Sequence, residues 1–214
     1  MPDLASFVRE ASLLAFPILL AVTLHELAHG YIADRLGDPT PRLAGRLTGN
    51  PLVHLDLVGT LVFLLTGMIG WAKPIPVNSA YFRNPRRGML WVGAAGPLMN
   101  LALAFFFAGC YRALLPLNLD PTSETSLRVV FPLTLIAQAG VRVNLGLCLF
   151  NLLPIPPLDG SRVLAGLLPA AGARLLDGLE RYGFVILLVL VYSRSLDAGM
   201  YPVLSAATGF LLGH

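Results

Sequence analysis

Apolar residues gather in long runs instead of alternating, and charge, proline and glycine mark where each run ends. The first run covers residues 11–33 and closes on Asp34 and Arg35. The second, 51–71, is interrupted by glycines, His54 and Asp56. The third, 89–115, is the cleanest and stops before Pro116. The fourth, 129–153, carries Arg142 and Asn144 and meets Pro154-Ile155-Pro156-Pro157, where a helix must break. A short amphipathic piece at 161–168, an apolar run at 179–192 and a short apolar tail at 200–212 complete the chain. The pattern predicts an all-α integral membrane protein, a polytopic helical bundle of about four to five spans. A broken helix is expected at 154–160. No repeat, low-complexity tract or long linker divides the chain, which predicts one membrane-embedded domain over 1–214, with C-terminal helices within 179–212.

Composition points to the same solvent. Of 214 residues, 56% are apolar and 13% charged, against about 25% charged in soluble chains. The mean hydropathy is +0.72. So few charges do not cover a water-soluble fold of this size, and the lipid bilayer is the first expected partner. The net charge of +3 comes from basic residues in short loops, the usual look of cytoplasmic loops. Arg83, Arg86 and Arg87 cluster, but without aromatic interleaving they do not suggest nucleic acid as a partner. Asp3 and Glu10 spoil the basic start of a cleavable signal. Cys110 and Cys148 lie in different runs and read as buried thiols rather than a disulfide.

The chemistry enters at His25-Glu26-Leu27-Ala28-His29. On a helix, positions i and i+4 share a face, so both imidazoles can grip one ion. Glu26 lies about 100° further round, close enough to reach a water at that ion and poorly placed to be a ligand. This is the zinc-peptidase arrangement, with two histidines on Zn²⁺ and a glutamate as general base. The alternatives are a chance match, or structural pairing of Glu26 with an arginine. Three ionisable groups in a membrane span are costly without a partner, and a metal supplies one. A catalytic zinc takes three protein ligands, and His54, Asp56 and Asp159 are the candidates for the third. Asp159 follows the proline break and precedes Gly160, so its carboxylate can be aimed sideways; as an alternative it caps a helix from Ser161.

HELAH, then GAAGPLMN at 93–100, then NLLPIPPLDG at 151–160 together resemble the site-2 protease family of intramembrane zinc metalloproteases. The stretches GNPLVHLD at 49–56 and GWAKPIPVN at 70–78 resemble its compact bacterial branch, which has no PDZ domain. The resemblance covers a catalytic core of roughly 11–165. It implies that His25, His29 and Asp159 bind one Zn²⁺ per chain and that Glu26 is the catalytic base. It also implies that Asn100 and Asn151 line the site. The implied substrate is a transmembrane protein or peptide, cut in or near its membrane segment.

One metal shared by His25, His29 and Asp159 requires all three at one depth. His25 and His29 lie toward the end of the first run and Asp159 beyond the end of the fourth, so both runs point the same way. With 89–115 crossing between them, 51–71 cannot cross. It is expected to be re-entrant or surface-lying, with His54 and Asp56 in its wall. Arg35, Arg42, Arg46, Lys73, Arg83, Arg86 and Arg87 then share one face, and the loop 116–126 with Asp120 and Glu124 lies opposite. The positive-inside rule puts the N-terminus outside the cell (inner) membrane and the site nearer the cytoplasmic face. The Pro-punctuated stretch 71–78 reads either as an edge strand that receives an unwound substrate or as an ordinary loop. Three rival functions remain at this point: a helical transporter or ion-binding protein, an inactive metal-binding scaffold, and a membrane-anchored peptidase that cuts soluble loops.

Overall fold

The computed structural model describes residues 4–66, 71–118 and 123–213. Asp3, Asp120 and residues 67–70 of the second run lie outside the described residues. Among those described the regular structure is helical: α1 (Leu4–Arg35), α2 (Thr40–Leu43), α3 (Pro51–His54), α4 (Leu57–Thr66), α5 (Pro85–Leu114), α6 (Phe131–Asn151), α7 (Asp159–Leu167), α8 (Ala170–Tyr192) and α9 (Ser195–Leu212). Among the described residues, three stretches are long and apolar enough to cross a membrane: Ala11–Arg35, Pro85–Leu117 and Ser126–Asn151. Phe105 and Phe106 on α5 are 56% and 58% exposed, an apolar exterior that suits lipid and not water. The run at 179–192 lies in α8, which begins earlier and carries Arg174, Asp177, Glu180 and Arg181. It is not among the three spans. Arg142 is exposed on α6.

The described ends of the second run lie together. Among the described residues α4 has 10 residues, about 15 Å of rise, against the about 30 Å of a bilayer core. Leu55 forms an antiparallel bridge with Ala72, and Lys73 N–H donates to the His54 carbonyl at 2.8 Å. The segment therefore starts and ends at one place.

Two compact units emerge from the contacts. One draws on residues up to Ala21, Asn100–Phe150 and those from Leu190 onward. Its core joins Ala104, Phe107, Ala108 and Tyr111 of α5 to Ala137, Val141 and Leu145 of α6 and Leu211 and Leu212 of α9. Gly140 makes this packing possible, because a Cβ there would stand 2.4 Å from the Phe107 ring. Arg112 closes the end of α9 by donating to the Leu211 carbonyl at 3.0 Å.

The other unit comprises Val22–Met99 and Asn151–Val189. Ala33, Phe82 and Val92 form its apolar centre. Asp38, fully buried, ties the end of α1 to later chain. Its carboxylate accepts from Thr40 N–H at 2.9 Å, the Thr40 hydroxyl at 2.5 Å and Asn78 N–H at 2.7 Å. Burial alone would push this carboxyl up, but the hydrogen bonds from Thr40 and Asn78 outweigh it and hold it below its ordinary value.

Candidate metal centre

Helix α1 puts His25 and His29 one turn apart, both buried, with Nε2 atoms 3.0 Å from each other. Helix α6 stops at Asn151, a series of turns follows, and α7 opens on Asp159 itself. Asp159 Oδ2 lies 3.1 Å from His25 Nε2 and 3.2 Å from His29 Nε2. Asp159 does not cap α7: no side-chain capping bond is made at that terminus. Its Oδ1 faces Arg162 Nη1 at 3.5 Å, and its buried Oδ2 accepts no hydrogen bond of good geometry.

This donor set fits a divalent cation. Ligands about 2.0–2.1 Å from a tetrahedral zinc stand about 3.3 Å apart, close to the edges of this triangle. His29 Nδ1 lies 2.6 Å from the Val92 carbonyl. A carbonyl only accepts, so Nδ1 carries the proton and the Nε2 of the neutral ring presents a lone pair to the centre. Among the described residues, His25, His29 and Asp159 form the one group of side chains able to share a metal ion.

Glycines let three segments close on this point. A Cβ on Gly96 of α5 would stand 2.5 Å from the Nε2 atoms of both His25 and His29. A Cβ on Gly93 would stand 3.1 Å from the Asp159 carbonyl, and one on Gly160 would stand 2.2 Å from the Leu152 carbonyl. Sequence reasoning took Asn100 from the 93–100 motif and passed over its glycines. The signal was present in the i, i+3 spacing of Gly93 and Gly96, which puts both on one helix face.

Glu26 is half-buried on α1, outside the triangle, and its Oε2 accepts from the Ile75 N–H at 3.0 Å. His54 is fully buried; its Nε2 lies 2.9 Å from the Thr48 carbonyl, and it stands outside the metal group. Asp56 caps α4, its Oδ1 accepting from Gly59 N–H at 2.8 Å. Both rival third ligands thus bond to nearby backbone instead. Asn100, fully buried, donates to Asn144 Oδ1 at 3.0 Å, and Asn144 donates to the Gly140 carbonyl at 2.9 Å. Asn144 was not singled out from sequence. Asn151, half-buried, is the last residue of α6. The stretch 71–78 has no regular secondary structure beyond the bridge at Ala72, and three of its backbone donors are already engaged. Lys73 N–H goes to His54, Ile75 N–H to Glu26 and Asn78 N–H to Asp38.

Three curated proteins are similar over most of the chain. "Putative zinc metalloprotease YwhC" of Bacillus subtilis is 39% identical over 201 residues, 93% of this chain and 89% of that protein. "Putative zinc metalloprotease Rip2" of Mycobacterium tuberculosis is 30% identical over 195 residues, 86% of this chain and 68% of that protein. "Putative zinc metalloprotease MJ0611" of Methanocaldococcus jannaschii is 42% identical over 161 residues, 72% of each. No family model and no solved structure matches the chain. With a coverage this full and a donor triangle built from two of its three motifs, the chain belongs to the zinc-metalloprotease family of YwhC, Rip2 and MJ0611, consistent with the compact site-2 proteases its motifs resemble.

Proposed function

We propose that the protein is an intramembrane zinc endopeptidase that hydrolyses peptide bonds in or near transmembrane segments of membrane proteins. His25, His29 and Asp159 hold one Zn²⁺, and Glu26 is the general base. The observation that carries the reading is the triangle of His25, His29 and Asp159 donor atoms with the Glu26 carboxylate on the same helix, one residue from its first member.

Zinc in such a site acidifies water and polarises a carbonyl. The residues of the chain supply the rest. Glu26 accepts the proton as hydroxide attacks the scissile carbonyl, and passes it to the departing amine. Val92 fixes the His29 ring through Nδ1, and Arg162 steadies the Asp159 oxygen that faces away from the imidazoles. A substrate helix hides its carbonyls in hydrogen bonds, so the cleaved stretch must unwind before attack. The basic residues around the site favour a position nearer the cytoplasmic face, with the N-terminus outside. Arg46 drops out of that charge argument because it is buried.

The test is zinc content and proteolysis in one series. Wild type and Glu26→Gln, purified in detergent, are expected to hold about one zinc per chain, the stoichiometry of a single three-ligand site. Glu26→Gln is expected to leave a transmembrane substrate uncut. His25→Ala and Asp159→Ala are expected to lose both metal and activity. Full zinc in Asp159→Ala, or cutting by Glu26→Gln at the wild-type rate, would overturn the assignment.

A further inference from the structure

Arg46 is a buried cation, 5% exposed, and it makes no ion pair among the described residues. Its position is set locally. Helix α2 ends at Leu43 with Ala44 as its C-cap, and Gly45 turns left-handed with φ +66°. Gly45 N–H bonds the Arg42 carbonyl at 3.0 Å and Arg46 N–H bonds the Pro41 carbonyl at 2.9 Å. This is the paired closure of a Schellman turn, and it turns the chain so that the Arg46 side chain enters the protein.

There the guanidinium joins two strands of chain. Nη1 donates to the Val53 carbonyl, in the chain that leads into α4. Nη2 donates to the Lys73 carbonyl, after it, and reaches the Pro74 carbonyl at 3.3 Å. Nε, also buried, has no partner among the described residues. A buried charge held only by carbonyls is a poor way to stabilise a fold, but a rigid fork is a good way to fix two chain segments relative to each other. The next donor along is the Ile75 N–H on Glu26 Oε2. Pro74 and Pro76 on either side leave that N–H without a neighbouring amide to replace it.

We propose that Arg46 is a positioning residue for Glu26: it holds residues 73–75 so that the Ile75 N–H fixes the direction of the carboxylate. The proposal rests on the reading of Glu26 as the base. Arg46 touches neither metal nor substrate and acts through the backbone.

The experiment uses the full-length zinc-loaded protein in detergent and a transmembrane peptide substrate. Arg46→Gln is expected to lower kcat by about ten- to a hundredfold, the range for losing one hydrogen bond to a charged group, with KM little changed and zinc retained. Hydrogen–deuterium exchange over 73–77, whose amide donors are Lys73, Ile75 and Val77, is expected to speed up. Arg46→Lys keeps the charge without the fork, so it folds if Arg46→Gln does not, and it is expected to fall between. Ile75→Pro deletes the N–H and is expected to add nothing to Arg46→Gln, with Ile75→Ala as the control that keeps it. Unchanged kcat in Arg46→Gln, full additivity with Ile75→Pro, or zinc lost in step with activity overturns the proposal. A wild type that holds zinc yet cuts nothing overturns the proposed function instead; the brace is then judged on exchange, and unchanged exchange in Arg46→Gln overturns it too.

Discussion

Gly96 faces His25 so closely that a Cβ on it would stand 2.5 Å from the imidazole Nε2. The same Cβ would stand 2.5 Å from His29 Nε2, so α5 is bare at the point where the two metal-facing nitrogens converge. Real Cβ contacts do not come this near, and either α5 or the rings must move. Gly96→Ala is therefore expected to weaken zinc binding at least tenfold, the scale on which displaced ligand support acts at metal sites. Gly109→Ala, on the same helix with nothing within 4 Å, is expected to bind zinc as wild type does. Metal titration of the two variants decides it, and equal affinities would show that α5 does not shape the site.

The third ligand separates two carboxylates that spacing alone left open and that the motif resemblance resolved toward Asp159. Asp159→Ala is expected to abolish zinc binding, because its Oδ2 completes the triangle. Asp56→Ala is expected to keep zinc and lose about 1 kcal/mol of stability, the usual cost of a lost N-terminal cap. Zinc per chain and thermal unfolding, measured on both variants, distinguish a ligand from a cap.

Asp38 gives a pH dependence of stability. Its carboxyl is held below its ordinary value in the fold, so its contribution is full above the unfolded value near 3.8. That contribution is lost as pH falls through the lower folded value. Near pH 7, Asp38→Ala is expected to cost about 2 kcal/mol for its buried hydrogen bonds. The gap to wild type should close in strong acid. Unfolding midpoints followed down in pH check the sign, and a gap that widens in acid would contradict it.

Substrate helicity should control rate. Proline or glycine in the cleaved segment weakens a helix by about 3 or 1 kcal/mol per residue, and unwinding must precede attack. Transmembrane substrates carrying them are expected to be cut at least several-fold faster than Leu-rich ones of equal length. Equal rates across such a series would remove unwinding from the mechanism.

Much of this protein is legible in one dimension. Run length against bilayer thickness fixes the helical class, and the i, i+4 histidines with the glutamate between them are local, set by helical pitch alone. Parity required the two ends of the second run to lie on one face, and the Leu55–Ala72 bridge brings those ends together. What sequence could not decide is which distant atoms meet. The motif resemblance pointed to Asp159 over Asp56, but the physical reason is tertiary: folding aims one at the imidazoles and the other at the first turn of α4. The roles of Gly96 and Arg46 were hidden for the same reason. One matters through the absence of a side chain against two rings 67 and 71 positions earlier in the chain. The other matters through carbonyls that any residue at 53, 73 and 74 would supply. Periodicity reads the contacts a helix makes with itself; packing between segments far apart in the chain exists only once the chain is folded.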